Sequence, residues 1–384
     1  MTRLLFLIAD TGGGHRAAAT AVARHLEAAS PGAYDVTLLD PFAAARPAVG
    51  RAAELYGPLT RHASWGWGAL YHLTNSRTVV AVLNASVLRM VDGAITRACA
   101  ESLAAIVSFH PLLNEAAVRA AREMKPRPSV VTVITDLVDV HASWASAGVD
   151  AVVVPSPGGW DRCRRAGIPA GRCHDLGLAV DPSFARPLPT EAERVVLRNR
   201  LGLAPGRFVV LVCGGADGSG GIARRAEALA GAGLDIDLAV ICGHNERARH
   251  RLVGLRDRRG RRVLAHGFVD NMADWMRASD VVATKAGPGT IAEALCCGLP
   301  LLLTSYLPGQ ERGNVEWVVD TGAGRFVPRA SQLVDAVAEI STPGSPTLRS
   351  MRAVVHELAR PDATARIAAL IDRLAGQTAS TATA

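Results

Sequence analysis

The feature that most constrains this chain is the alternation of short, nearly all-apolar runs with longer helical patterns, twice over along its length. In the first half the runs are Leu4–Ala9, Tyr34–Leu39, Ala104–Phe109, Ser129–Thr135, Asp150–Pro155 and a short piece at Asp175–Leu178. Apolar character without polar alternation is what strands buried on both faces require. Helical patterns such as Arg16–Ala28 and Glu115–Met124 lie between the runs. The repetition predicts an α/β fold with a parallel, doubly wound sheet. The proline-rich segment Asp181–Pro189 closes this series. A second follows, with strands at Phe208–Cys213, Leu238–Cys242, Arg262–Val269, Asp280–Thr284 and Leu301–Tyr306 and a last helix near Ala363–Leu374. The expected organisation is a domain over 1–185, another over 186–375, and a small-residue tail over 376–384 that is expected to be disordered. A length of 384 residues suits two domains.

Charge and composition narrow the partners. A net charge of +7 favours anionic ligands. Aromatic residues are only 4% of the chain, too few for a single-strand stacking platform, so no nucleic-acid partner is expected. The seven cysteines are scattered and contain no C-x-x-C pair, which fits reduced core thiols rather than a disulfide framework. No run approaches the apolar length of a spanning helix.

Two glycine-rich strand-to-helix turns stand out. Thr11-Gly12-Gly13-Gly14-His15 follows the first strand, and backbone N–H groups at a helix start can face an anion there. Gly12, Gly14 and Ala17 even satisfy the dinucleotide spacing, with Asp40 ending the second strand. That reading leaves the second domain without a role. In the second domain Thr284-Lys285-Ala286-Gly287-Pro288-Gly289-Thr290 opens a helix over Ile291–Cys297, and Lys285 adds a point charge for a diphosphate. Glu293, in the same helix, is placed for a ribose diol. Pro308–Asn314 comes one strand later, and an i, i+4 spacing puts Gln310 and Asn314 on one helix face, suited to sugar hydroxyls. Asp136-x-x-Asp139-x-His141 resembles a ligand trio, but such groups more often orient a neighbour or cap a helix, so no metal is expected.

Together these pieces resemble the MurG-like GT-B glycosyltransferases, and within them the monogalactosyldiacylglycerol synthase and diacylglycerol glucosyltransferase group. The stretches that carry the resemblance run from Asp10–Ala17 through Thr135-Asp136, His141 and Trp144 to Cys242–Asn245, Gly267–Val269, Lys285–Leu295 and Pro308–Val315. The resemblance implies a GT-B fold, two Rossmann-like domains facing across a cleft. It implies a UDP-sugar as co-substrate, no cofactor, and inverting transfer of a hexosyl group to a lipid acceptor such as diacylglycerol. His15 would be the general base, its ordinary pKa near 6.5 suiting neutral pH, with Asp136 as the second catalytic residue. Gly215, Gly243, Phe268, Val269, Lys285, Gly287, Gly289, Thr290, Glu293, Gln310, Glu311 and Asn314 would hold the donor. Gly12, Gly13, Gly14, His141, Trp65 and Trp67 would meet the acceptor. The loop Gly214–Gly221 departs from the family's glycine-and-glutamate pattern, and Ala145 stands where an aromatic is common. Transfer to a soluble aglycone and nucleotide-sugar 2-epimerisation are the alternatives on the same fold.

Leu55 to Val91 contains no Asp or Glu but holds Trp65, Trp67, Arg61, Arg77 and Arg89. Basic residues with tryptophan suit an anionic membrane surface, and a buried helical hairpin is the other reading. Cytoplasmic location, peripheral at the inner face of the cell membrane, is the resulting expectation.

Overall fold

A computed structural model describes residues 1–10, 13–44, 64–99 and 102–383, without the side chains of 64, 65, 87 and 379–383. The chain divides into two compact units.

The first unit comprises Met1–Pro182, the turn Leu307–Gln310 and the C-terminal segment from Asp362. Its strands are β1 (Thr2–Leu7), β2 (Tyr34–Leu39), β3 (Ala105–Ser108), β4 (Ser129–Val133), β5 (Ala151–Val154) and β6 (Cys173–Asp175). They form one parallel sheet in the order β2-β1-β3-β4-β5-β6. The apolar runs are continuous because both faces are covered. Along β1, Leu5 and Leu7 enter one core with Ile106, Val130 and Val152, while Leu4 and Phe6 enter the other with Val107, Val131 and Val153. Each such side chain contributes about 1.5–3 kcal/mol on burial.

Helix α1 (Gly14–Ala29) covers the second of these faces with Ala18, Ala19, Val22 and Leu26. The described chain continues through α2 (Pro41–Ala44), α3 (Ser64–Thr74), α4 (Arg77–Ala85), α5 (Asp92–Ala98), α6 (Asn114–Glu123) and α7 (Pro157–Arg165). The order of the strands reverses between β1 and β3, which is where open α/β sheets bind ligands.

The second unit, Ser183–Tyr306 and Glu311–Pro361, repeats the plan. Strands β7 (Phe208–Cys213), β8 (Ile236–Ile241), β9 (Leu264–His266), β10 (Val281–Lys285), β11 (Leu301–Ser305) and β12 (Gly324–Phe326) form a parallel sheet ordered β12-β11-β10-β7-β8-β9. Its switch point lies between β7 and β10. Helices α8 (Glu191–Leu201), α9 (Ile222–Gly231), α10 (Glu246–Leu252), α11 (Met272–Ala278), α12 (Pro288–Cys296), α13 (Arg312–Thr321), α14 (Ala330–Ile340) and α15 (Pro346–Leu358) complete it.

At the end of this sheet remote from the switch-point loops, buried Asp280 accepts from Arg194, Arg198, Arg352 and the Val209 N–H. Burial opposes its ionisation, but Arg194, Val209 and Arg198 outweigh that and hold its carboxyl below the usual range. The arginine run 256–262 is a tied turn: Arg261 pairs with Asp257 and Asp235.

Three differences from the sequence reading have physical causes. The last helix, α16 (Ala363–Thr383), belongs to the first unit, because Ile367, Leu370 and Ile371 pack against Leu4, Phe6 and Val22. It also runs through the segment expected to be disordered: Ser129 Oγ donates to the Leu374 carbonyl and lies 3.1 Å from Thr378 Oγ1. Strand β12 is three residues with one glycine and one arginine, too short and polar to leave an apolar signal.

Candidate active site

At the switch point of the first sheet, the turn after β1 leads into α1. Gly13 caps the helix with φ +78°, a conformation that strains any residue with a Cβ. Gly14 opens α1, and Gly12 lies outside the described residues. The turn is clamped by charge. Arg16 donates from Nε and Nη2 to both carboxylate oxygens of Asp10, at 2.6 and 2.7 Å, and the Asp10 N–H donates to Asp40 Oδ2. Asp40 Oδ1 in turn accepts from the N–H groups that start α2. Asp40 is thus a structural clasp here.

His15, the second residue of α1, is half-buried, and its Nδ1 lies 2.8 Å from Thr135 Oγ1, just beyond β4. Its ring sits 4.7 Å, edge to face, from that of His110, which follows β3, and 6.2 Å from Trp144. Burial pulls its pKa down to about 4, against the backbone of Phe109, whose hydrogen bond works the other way. The ring is therefore neutral at pH 7, with an acceptor nitrogen for a proton, but it titrates well below the ordinary 6.5 the sequence suggested. His110 is buried beside it, and burial followed by the neighbouring His15 drives it well below its ordinary value too. No sequence motif marked His110, and Thr135 stood in a stretch that carries the resemblance without a site role of its own; the sheet order brings both to His15.

Asp136, expected to be catalytic, makes two side-chain contacts. Its Oδ2 accepts from the indole Nε1 of fully buried Trp144 at 2.7 Å, and its Oδ1 accepts from Gln310 Nε2 at 3.0 Å. With both oxygens engaged it holds Trp144 and the Leu307–Gln310 turn. That turn also packs on α3, where a Cβ at Gly309 would lie 3.1 Å from the Tyr71 ring. His141 is likewise turned inward. Its Nδ1 meets Ser143 Oγ at 2.8 Å and its Nε2 lies 3.3 Å from Thr74 Oγ1. Burial brings its pKa to about 4. The Asp136, Asp139, His141 trio therefore does not converge, and no cluster of three potential metal ligands occurs among the described residues. Trp67 is half-buried on α3, and the side chain of Trp65 lies outside the described residues.

At the switch point of the second sheet, the loop Gly214–Gly221 follows β7 and is stitched to the turn after β8. The His244 N–H donates to the Ala216 carbonyl and Asn245 Nδ2 to that of Gly218. Gly218 and Gly243 have positive φ, and a Cβ on either would fall 1.8 and 2.1 Å from a backbone oxygen, so only glycine allows this approach. Lys285, the last residue of β10, runs between Gly215 and Gly287, and its Nζ meets Glu311 Oε1 at 2.6 Å. Gly287 caps α12 without a side chain, and Gly289 and Thr290 open that helix, leaving its N-terminal N–H groups for an anion. Glu293 is half-buried on α12. Exposed Phe268 stacks flat on His244, centroids 4.6 Å apart and planes 7° apart, with half-buried Val269 beside it. His244 is a residue the sequence reading left out of the site.

Gln310 and Asn314 do not share a helix face. Gln310 lies in the turn before α13 and reaches Asp136, whereas Asn314 is buried in α13 and donates from Nδ2 to the Ala286 carbonyl. A helix starting only at Arg312 explains the difference.

Comparison with known proteins was made against this geometry. The model of the monogalactosyldiacylglycerol (MGDG) synthase family matches residues 15–180, and that of the glycosyltransferase family 28 C-terminal domain matches residues 209–367. Monogalactosyldiacylglycerol synthase 1 of Arabidopsis thaliana is 33% identical over 380 residues, covering 95% of this chain and 69% of that protein. The synthase of Spinacia oleracea is 33% identical over 390 residues, covering 98% and 73%. Among solved structures, MurG of Acinetobacter baumannii aligns with a TM-score of 0.62 at 16% identity, covering 97% of this chain and all of that one. The UDP-GlcNAc 2-epimerase of Neisseria meningitidis aligns at 0.59 with 12% identity, a likeness of fold alone. The chain has the GT-B fold of these structures, and by its sequence it belongs to the monogalactosyldiacylglycerol synthase family of glycosyltransferases.

Proposed function

We propose that this protein transfers a hexosyl group, galactosyl first among the candidates, from a UDP-sugar to a hydroxyl of a lipid acceptor of the diacylglycerol class. The observation that carries the reading is the 33% identity to the Arabidopsis synthase, which extends through both units. The local geometry is consistent with it. In the second unit, Lys285 and the open start of α12 offer positive charge and N–H donors to a diphosphate. The His244–Phe268 pair and Val269 offer a flat apolar edge to the uracil, and Glu293 a carboxylate to the ribose. In the first unit, neutral His15 offers a base to the acceptor hydroxyl. The hydroxyl oxygen attacks the anomeric carbon, the bond from that carbon to the diphosphate oxygen breaks, and UDP leaves with the electron pair. The hydroxyl proton passes to His15, and the anomeric configuration inverts.

Peripheral membrane contact at the cytoplasmic face belongs to the same reading. Four of the exposed large apolar side chains, Leu70, Leu73, Val82 and Met90, fall within the acid-free stretch. Among the described residues no single helix is long and apolar enough to cross a membrane.

Incubation with UDP-galactose, UDP-glucose and UDP-N-acetylglucosamine in the presence of diacylglycerol, followed by lipid mass spectrometry, tests the transfer. A hexosyldiacylglycerol is the expected product, and an unmodified lipid with every donor would overturn the reading.

A further inference from the structure

The turn that delivers His15 can do little to hold its ring. Gly13 and Gly14 precede it, and a Cβ on either would meet nothing within 4 Å among the described residues. The second torsion of a histidine side chain is soft, so the ring plane needs neighbours to set it, and the glycines supply none. Two contacts from the ends of other strands take up the task. The Thr135 hydroxyl, 2.8 Å from Nδ1, anchors one nitrogen, but a single hydrogen bond tolerates a tilt of the ring about it. The His110 ring, met edge to face at 4.7 Å and 73°, limits that tilt.

His110 is itself locked. It is buried beyond the end of β3, where it caps the single turn Pro111–Leu113. Its Nδ1 accepts from the Leu112 N–H at 3.3 Å, and its carbonyl accepts from the Ser108 hydroxyl at 3.1 Å. Phe42, at the start of α2, meets the same ring at 5.6 Å and 72°. A neutral imidazole that accepts at Nδ1 carries its proton on Nε2. Capping a turn does not call for an imidazole, since asparagine, serine and aspartate do so with less bulk. What histidine adds is a flat ring, pinned at its nitrogen and at its backbone, against His15.

We propose that His110, given the proposed transfer with His15 as base, is a positioning residue: its ring sets the plane of the His15 imidazole and so aims the nitrogen that takes the acceptor's proton. It takes no proton itself, because Nδ1 is engaged by Leu112 and Nε2 already carries one.

Two substitutions separate the ring from the cap. His110→Phe keeps a ring against His15 and gives up the bond from Leu112. His110→Asn keeps an acceptor for Leu112 and gives up the ring. Misplacement of a reacting group by about 1 Å can cost roughly 10²-fold, so His110→Asn should lower kcat by about 10- to 100-fold. Its KM for UDP-galactose should stay close to that of wild type, because the second unit holds the donor in that reading. His110→Phe should keep most of the wild-type kcat although it leaves the Leu112 N–H unpaired. Thermal midpoints of both variants establish that they are folded at the assay temperature.

A readout without substrate separates this role from the transfer itself: carbethoxylation of His15 by diethyl pyrocarbonate, followed by peptide mass spectrometry. His15 should react severalfold faster in His110→Asn, where its ring is released, and at the wild-type rate in His110→Phe. A wild type that yields no hexosyl lipid refutes the transfer reading, and the carbethoxylation rates then decide the role of His110 alone. Equal carbethoxylation of His15 in wild type and His110→Asn, or equal loss of kcat in the two variants, overturns the proposal.

Discussion

The Nδ1 of His15 lies 2.8 Å from the Thr135 hydroxyl, a bond that joins the first helix of the chain to the end of the fourth strand. It fixes the ring's orientation on a half-buried site whose pKa burial lowers to about 4. A base with a lowered pKa is present in its working form above that value and is lost as pH falls through it. The acid limb of kcat/KM for the wild type should therefore lie near pH 4 rather than 6.5. Thr135→Val removes one hydrogen bond, about 0.5–1.5 kcal/mol, and should cost up to roughly tenfold in kcat. A wild-type limb centred at 6.5 or above would show that His15 is not the titrating base.

Lys285 and Glu311 form the sharpest charge contact at the second switch point, with Glu311 almost wholly buried and Lys285 about one-third exposed. Lys285→Ala removes a charge-assisted bond worth about 1.5–3 kcal/mol and, under the proposed function, a charge offered to the diphosphate. It should lower both the thermal midpoint and the affinity for UDP. Glu311→Gln keeps a neutral acceptor, so UDP, which lacks the transferred hexosyl group, should bind it within about threefold of wild type. Equal loss of UDP affinity in the two variants would mean that Lys285 serves the fold alone.

Glu293 lies on α12 between one and two turns beyond the Gly287 cap, and the proposed function gives it the ribose diol of the nucleotide. Removing carboxylate hydrogen bonds costs about 1.5–3 kcal/mol, or roughly ten- to hundredfold in affinity. Calorimetry of Glu293→Ala with UDP measures it directly. Unchanged affinity in a folded variant removes Glu293 from the nucleotide site.

Leu70 and Leu73 lie on one helix, 44% and 74% exposed. If they enter a bilayer, burial of each contributes about 1.5–3 kcal/mol at most. Leu70→Ser with Leu73→Ser should then weaken sedimentation with anionic vesicles by at least tenfold, and binding of wild type should fall as salt shortens the screening length to about 3 Å at 1 M. Wild-type indifference to anionic vesicles at low salt would leave the segment without a membrane role.

The sheets were legible in the sequence because strands covered on both faces, such as Ala151–Val154, carry an unbroken apolar signal. The glycine loops were legible because backbone approach demands glycine, as at Gly218 and Gly243. What escaped depends on tertiary contacts with no local pattern. His110 meets His15 only because β1 and β3 are neighbours across the switch point. Gln310 reaches Asp136 across 174 residues, a contact that no local pattern encodes. The lowered pKa of His15 follows from burial that no motif encodes. Helix α16 looks like any amphipathic helix in sequence, so its return to the first unit could not be read from its own residues.

The most direct test of the account follows radiolabelled galactose from UDP-galactose in the presence of diacylglycerol, comparing wild type with His15→Ala. The account predicts label in the organic phase as a monohexosyl lipid for wild type, and a 10²–10⁴-fold lower rate for the variant at similar UDP affinity. Label that stays in the aqueous phase with wild type, or a variant that turns over at the wild-type rate, would contradict it.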